Sequence, residues 1–142
     1  MKRPLYLDHH ATTPVDPAVL QAMLPYFTES FGNPSSRTHA YGWEADEAVE
    51  TARAQVAAIL GATPREIVFT SGATESNNLA LKGTVEALGI PDARVITVAT
   101  EHASVLETCR QLEARGVRVT RLPVGPDGRL DLGELESALT DR

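Results

Sequence analysis

Apolar positions along this 142-residue chain follow two rhythms, and those rhythms predict most of its elements. From Tyr41 to Leu60 apolar side chains recur at Ala45, Ala48, Val49, Ala52, Val56, Ile59 and Leu60, with Glu44, Asp46, Glu47, Glu50 and Arg53 off that stripe. The spacing predicts a long amphipathic helix stopped by Gly61, and its alanines predict close packing on more than one side. Next, the β-branched run Glu66-Ile67-Val68-Phe69-Thr70 predicts a strand, Ser71-Gly72 a tight turn, and Leu79, Leu81, Val85 and Leu88 a helix lasting until Gly89. Arg94 to Val98 reads as the following strand. A helix from about Ala103 to Arg115 is stopped by Gly116, and Val117 to Leu122 forms another strand. Gly125-Pro126-Asp127-Gly128 is a turn, and Asp131 caps a last helix near Leu132 to Leu139.

The N-terminal third is less regular. Leu5-Tyr6-Leu7 reads as a short strand, and Asp8 to Pro14 as a polar loop leading away from it. Asp16-Pro17 starts a helix that Pro25 kinks or ends on its way to Tyr26 and Phe27. Phe31 to His39 is a loop by composition, because Gly, Asn, Pro and Ser each favour turns for their own backbone reasons. From Glu66 onward strand and helix alternate three times, which predicts an α/β fold with a mainly parallel sheet and flanking helices. Ligands of such sheets bind beyond the carboxyl ends of the strands. Thr70 to Thr74 and Thr100 to His102 both belong to that edge.

Composition narrows the function classes. With 42% hydrophobic and 23% charged residues the chain can bury one globular core. A net charge of −6 and scattered arginines leave no basic stripe for nucleic acid. No apolar run approaches the roughly 20 residues of a membrane span, and the start of the chain leads into an apolar strand without a signal-peptide core. Cys109, the single cysteine, rules out an internal disulfide framework and fits a reducing compartment, so the expected location is cytoplasmic.

Five features are candidates for chemistry. The helix after Gly72 presents unpaired N–H groups and the positive end of its dipole, so Ala73 and Thr74 suit a phosphate; Glu75 is expected to point outward, away from such an anion. A capped helix start with no ligand is the alternative. His102, beside that cup, is either an active-site residue or a solvent-facing histidine at a helix start. Arg37 and His39 are either an anion site or part of a solvated connection in which Thr38 starts the following helix. Adjacent His9 and His10 have no third ligand at a metal-binding spacing, so no metal is expected. Cys109, with Val105 and Leu112 on its helical stripe, reads as a buried thiol and not a nucleophile.

Four ordered motifs then resemble one family. They are Leu7-Asp8-His9-His10-Ala11-Thr12-Thr13-Pro14, Phe31-Gly32-Asn33-Pro34-Ser35-Ser36 with His39, Phe69-Thr70-Ser71-Gly72-Ala73-Thr74-Glu75-Ser76-Asn77-Asn78, and Thr100-Glu101-His102 with Val105 to Cys109. Together, from Leu5 to about Leu139, they resemble the N-terminal part of cysteine desulfurases of the nitrogen-fixation and iron–sulfur-cluster type. These are class V aminotransferases that depend on pyridoxal 5'-phosphate (PLP).

The resemblance implies the fold type I PLP-dependent transferase fold. The chain would be an N-terminal portion of its large domain, with residues 1–40 forming an arm and active-site loops. It implies that Ala73 and Thr74 bind the cofactor phosphate, and that His102 stacks on the pyridine ring and moves protons. Ala11, Thr12, Asn33 and His39 would border the substrate pocket near the interface of a homodimer. Family members convert L-cysteine to L-alanine and pass the sulfur, as an enzyme persulfide, to an acceptor such as an iron–sulfur scaffold. The chemistry also needs a Schiff-base lysine, an acidic partner for the pyridinium and a mobile cysteine. The only lysines here are Lys2 and Lys82, and Lys82 lies roughly 12 Å along the helix from Thr74 at 1.5 Å per residue. In the family those groups come later in the chain, so residues 1–142 alone are expected to be inert and, with a truncated sheet, prone to self-association. Two other readings are a non-catalytic phosphate- or PLP-binding or dimerisation module, and another branch of the group such as a selenocysteine lyase.

Overall fold

The computed structural model describes residues 4–89 and 93–140. The chain divides into two compact units, Met1–Val68 and Phe69–Arg142.

In the first unit α1 (Pro17–Met23) and α2 (Pro25–Thr28) replace one continuous helix. Asp16 Oδ1 caps α1 by accepting from the Ala18 N–H at 2.7 Å. Pro25 has no N–H to continue the ladder, so the break falls at Leu24, as the sequence predicts. Helix α3 (Ala40–Leu60) ends at Gly61, which adopts φ +66°. That left-handed conformation is open to glycine at little cost. Ala45 and Ala57 are buried, but Ile59 is 85% and Leu60 68% exposed. The expected burial on more than one side therefore fails in the last turn, where a 3-10 turn at Pro64–Glu66 is the element packed nearest.

Gly42 has a specific reason to be glycine. A Cβ built there would overlap the carbonyl of Ser36, so the loop before α3 can lie against the helix only without a side chain. Gly→Ala inside a helix ordinarily stabilises by up to about 1 kcal/mol. Here the sign is expected to reverse, with Gly42→Ala costing about 1–3 kcal/mol through overpacking. Trp43 reports this locally, because its indole N–H donates to the Arg37 carbonyl of the same loop at 2.9 Å. The midpoint of its fluorescence change in urea should fall.

Two predicted strands are not strands. Among the described residues the sheet contains β1 (Arg94–Val98) and β2 (Arg118–Leu122) and no other strand. Leu5 and Leu7 are largely exposed, with no ladder beside them among the described residues. Ile67 has extended backbone angles, but its carbonyl accepts from Arg53 Nη1 at 2.6 Å, a side-chain donor where a neighbouring strand's N–H would stand. Apolar β-branched sequence makes a segment able to join a sheet; a partner of matching register makes it a strand.

The second unit is built on a β-α-β crossover. β1 and β2 pair in parallel with Arg94 opposite Arg118 and Val98 opposite Leu122, and α5 (Ala103–Ala114) joins them. Helix α4 (Ala73–Leu88) precedes β1, and α6 (Leu132–Thr140) follows β2 with Asp131 Oδ1 accepting from the Gly133 N–H at 2.7 Å. Val85, Ala93, Leu112 and Val117 form the core, with Leu81, Val95 and Val119 packed against it. Cys109 is fully buried, as its place on the α5 stripe predicts.

Arg121 of β2 holds Glu113 of α5 with two bonds of 2.7 Å, which keeps the Glu113 carboxyl below the usual carboxylate range. A carboxyl lowered in the folded state stabilises above its unfolded pKa of about 4.3, and that stability is lost as pH falls through the folded value. Urea midpoints measured on either side of pH 4 should show a shallower acid decline in Glu113→Gln than in the parent chain. Added salt should narrow the difference, because the pair is partly exposed.

Candidate active site

Three cross-helix contacts establish how the site is arranged. Asn77 Nδ2 donates to Ser104 Oγ at 2.9 Å, Lys82 Nζ to Gln111 Oε1 at 2.9 Å, and Arg115 Nη1 to Glu86 Oε1 at 3.4 Å. Partners advance together along both chains, so α4 and α5 run side by side and parallel. Their N-termini open on the same side, and α5 begins just past the carboxyl end of β1. Two positive dipole ends share one edge of the sheet.

The start of α4 is braced from within. Thr70 Oγ1 and Ser76 Oγ are 2.6 Å apart, and both hydroxyls also reach the Gly72 carbonyl. Glu75 does not simply point outward. Its carboxylate folds back to accept from the Ser71 hydroxyl and the Ser71 N–H, each at 2.6 Å, and the two donors lower its pKa, the hydroxyl foremost. The negative charge thereby stays over the first turn, where the dipole favours it, and the Ser71 N–H is no longer available to a ligand. The N–H groups of Ala73 and Thr74 occupy positions without intrahelical acceptors. The Thr74 hydroxyl has no protein partner among the described residues, and a Cβ at Gly72 would meet nothing within 4 Å. The cup has room for a ligand and donors to hold one.

His102 is the N-cap of α5. Its Nδ1 accepts from the Ser104 N–H at 3.1 Å and lies 2.9 Å from Ser104 Oγ. The ring is exposed, as a helix-start histidine would be, yet one nitrogen is committed to the cap. Ser104 Oγ also takes the Asn77 amide, and Thr108 Oγ1 donates to the Ser104 carbonyl at 2.8 Å. Asn77 and Ser104 are the functional candidates that the sequence reading missed. The His-x-Ser spacing at a helix start could have pointed to Ser104. Nothing local points to Asn77, which meets it across 27 positions.

The remaining sequence candidates belong to the first unit. Ala11 donates its N–H to the Asp8 carbonyl at 3.2 Å, and the Tyr6 hydroxyl ties the same loop together through the Asp8 and Thr12 carbonyls. Asn33 closes its own turn, with Oδ1 accepting from the Ser35 N–H at 2.9 Å. His39 proves to be the N-cap of α3, its Nδ1 accepting from the Gly42 N–H at 3.3 Å, where Thr38 was the expected start. His9 Nδ1 lies 3.1 Å from the Thr13 hydroxyl. Among the described residues no group of three or more His, Cys, Asp and Glu could hold a metal ion, and no helix is long and apolar enough to cross a membrane. Burial raises the Cys109 pKa, which suppresses its thiolate. Lys82 is tied to Gln111 well along α4, and Lys2 lies outside the described residues.

Known proteins resemble this chain over nearly its whole length. The chain is 55% identical over 139 residues to the cysteine desulfurase IscS of Rickettsia felis, an alignment covering 98% of this chain and 34% of that protein. The solved structure of a NifS-like protein superposes with a TM-score of 0.82 at 44% identity, over 92% of this chain and 35% of that one. That of SspA in complex with cysteine also gives 0.82, at 42% identity, over 96% and 39%. The chain thus spans about a third of the length of the curated relatives it matches. A model of the class V aminotransferases matches residues 5–142. With that match over nearly its whole length, and a fold shared with the solved NifS-like protein, the chain belongs to the class V aminotransferase family.

Proposed function

We propose that the chain forms the N-terminal portion of the large domain of a PLP-dependent cysteine desulfurase, residues 1–40 serving as an arm with pocket loops. The supporting observation is that Ala73 and Thr74 on one helix and His102 on its parallel neighbour open on the same sheet edge. Ala73 and Thr74 bind the cofactor phosphate through two N–H groups and one hydroxyl. A dianionic phosphate gains from both helix dipoles there. His102 packs its ring against the cofactor's ring and holds a proton at Nε2, since Nδ1 is occupied by the cap. Bound PLP supplies the electron sink for converting L-cysteine to L-alanine. The sulfur leaves as a persulfide on a cysteine other than the buried Cys109 and passes to an acceptor protein for iron–sulfur assembly. The working form is a cytoplasmic homodimer, with Ala11, Thr12, Asn33 and His39 bordering the pocket.

A chimera tests this reading directly. Residues 1–142 joined to the remainder of the Rickettsia felis desulfurase should bind PLP, seen by its absorbance, and release alanine and sulfide from cysteine. A folded chimera that binds no PLP would overturn it. The 142-residue chain alone offers no reachable amine or thiol among its described residues, because Lys82 is turned to Gln111 and Cys109 is buried. Incubated with PLP and cysteine it should release no more sulfide than free PLP does.

A further inference from the structure

We infer that Asn77 and Ser104 are positioning residues that hold His102 in a single tautomer, with its proton on the outward Nε2 and its Nδ1 lone pair turned into the start of α5. The observation is a chain of three groups on two helices. Asn77 is three residues beyond Thr74, about 4.5 Å of helical rise. Its amide N–H donates to Ser104 Oγ at 2.9 Å, and Ser104 Oγ lies 2.9 Å from His102 Nδ1. Because the amide occupies a lone pair of the hydroxyl oxygen, the single hydroxyl proton is left for Nδ1. The Ser104 backbone N–H aims at the same nitrogen from 3.1 Å. A proton on Nδ1 would face the fixed Ser104 N–H and lose that bond, and the hydroxyl, turned to accept from both Nδ1–H and the amide, would leave its own proton without an acceptor. Neutral His102 is therefore held as the Nε2–H form. Ser104 is buried and Asn77 half-buried, so water competes little for the relay.

The consequence is chemical. Capped in this way, His102 offers a ligand its Nε2–H and exchanges protons through that nitrogen alone, Nδ1 being held by the start of α5. The relay also couples the two helix starts, because the residue orienting the imidazole belongs to the helix that begins with Ala73 and Thr74. The usefulness of this device rests on the reading of His102 as the ring-facing residue, but its geometry does not.

The test needs neither cofactor nor turnover, so its failure is separate from failure of the desulfurase reading. Long-range ¹H–¹⁵N spectra of the ring nitrogens in the intact chain, at a pH where the imidazole is neutral, give the tautomer ratio from the difference between the Nδ1 and Nε2 shifts. The parent chain should show Nδ1 unprotonated and Nε2 protonated. Ser104→Ala removes one hydrogen bond and should lower the Nε2–H to Nδ1–H ratio about fivefold, the equivalent of about 1 kcal/mol. Asn77→Ala, which frees the hydroxyl to turn elsewhere, should move the ratio in the same direction. Ser104→Thr keeps the hydroxyl and should restore the parent ratio, which separates the relay from a general effect on folding. An unchanged ratio in Ser104→Ala, or equal shifts in the Ala and Thr variants, would overturn the assignment.

Discussion

In the chimera with the Rickettsia felis remainder, His102→Ala is expected to lower the rate of alanine formation by about 10²–10⁴-fold, the usual contribution of a positioned acid–base side chain. Two losses are combined in that variant. The imidazole leaves the cofactor's ring face, and α5 loses the cap on the Ser104 N–H, which costs about 0.5–2 kcal/mol. His102→Asn separates them. Asparagine is among the best N-cap residues, so α5 should keep its start while the ring and its Nε2 proton disappear. Alanine release at saturating cysteine should be low in both variants, whereas the urea midpoint should fall only in His102→Ala. An Asn variant with the parent rate would remove His102 from the chemistry and leave it as a cap alone.

The second large effect is structural. Leu112→Ala should lower the stability of the second unit by about 3 kcal/mol, within the range for emptying a buried leucine site. Leu112 is fully buried, at the centre of the cluster with Val85, Ala93 and Val117. Those residues come from α4, from the approach to β1, from α5 and from the approach to β2. No single element can collapse into the space without moving the others, which keeps the cavity open and the cost high. Native-state hydrogen exchange of the β1 and β2 ladder amides reads the effect, because 3 kcal/mol corresponds to about a hundredfold loss of protection. Cys109 supplies an independent readout. Its thiol is fully buried, so its alkylation requires opening and should accelerate in the same variant.

How legible the site was depended on distance along the chain. The helix starts at Asp16 and Asp131 and the stops at Gly61, Gly89 and Gly116 follow from caps, prolines and glycines acting within a few residues and stand as read, whereas α4 starts at Gly72 without a side-chain cap. The phosphate cup was legible for the same reason, since the unpaired N–H groups of a helix start are a property of the helix itself. The carboxylate of Glu75 was misjudged because a side chain can turn back on its own helix start, a choice between rotamers that periodicity does not encode. The two absent strands were misjudged for another reason. Leu5 to Leu7 and Ile67 to Thr70 have strand composition, but a ladder is made between segments and composition names no partner.

Local rules along the chain settled where most of its helices begin and end, that its second half alternates strand and helix, that Cys109 is buried, and which short motifs link it to its family. Those properties depend on backbone conformation and on apolar stripes over one or two turns, interactions that close within about ten residues. The parallel seating of α4 against α5, the relay from Asn77 through Ser104 to His102, the loop contact that forces Gly42, and the Arg121–Glu113 pair emerged only on folding. The first two join residues 27 or more positions apart, the other two depend on how the chain turns back between elements, and the last few ångströms of each side chain's position are set by packing against neighbours that no window of sequence contains.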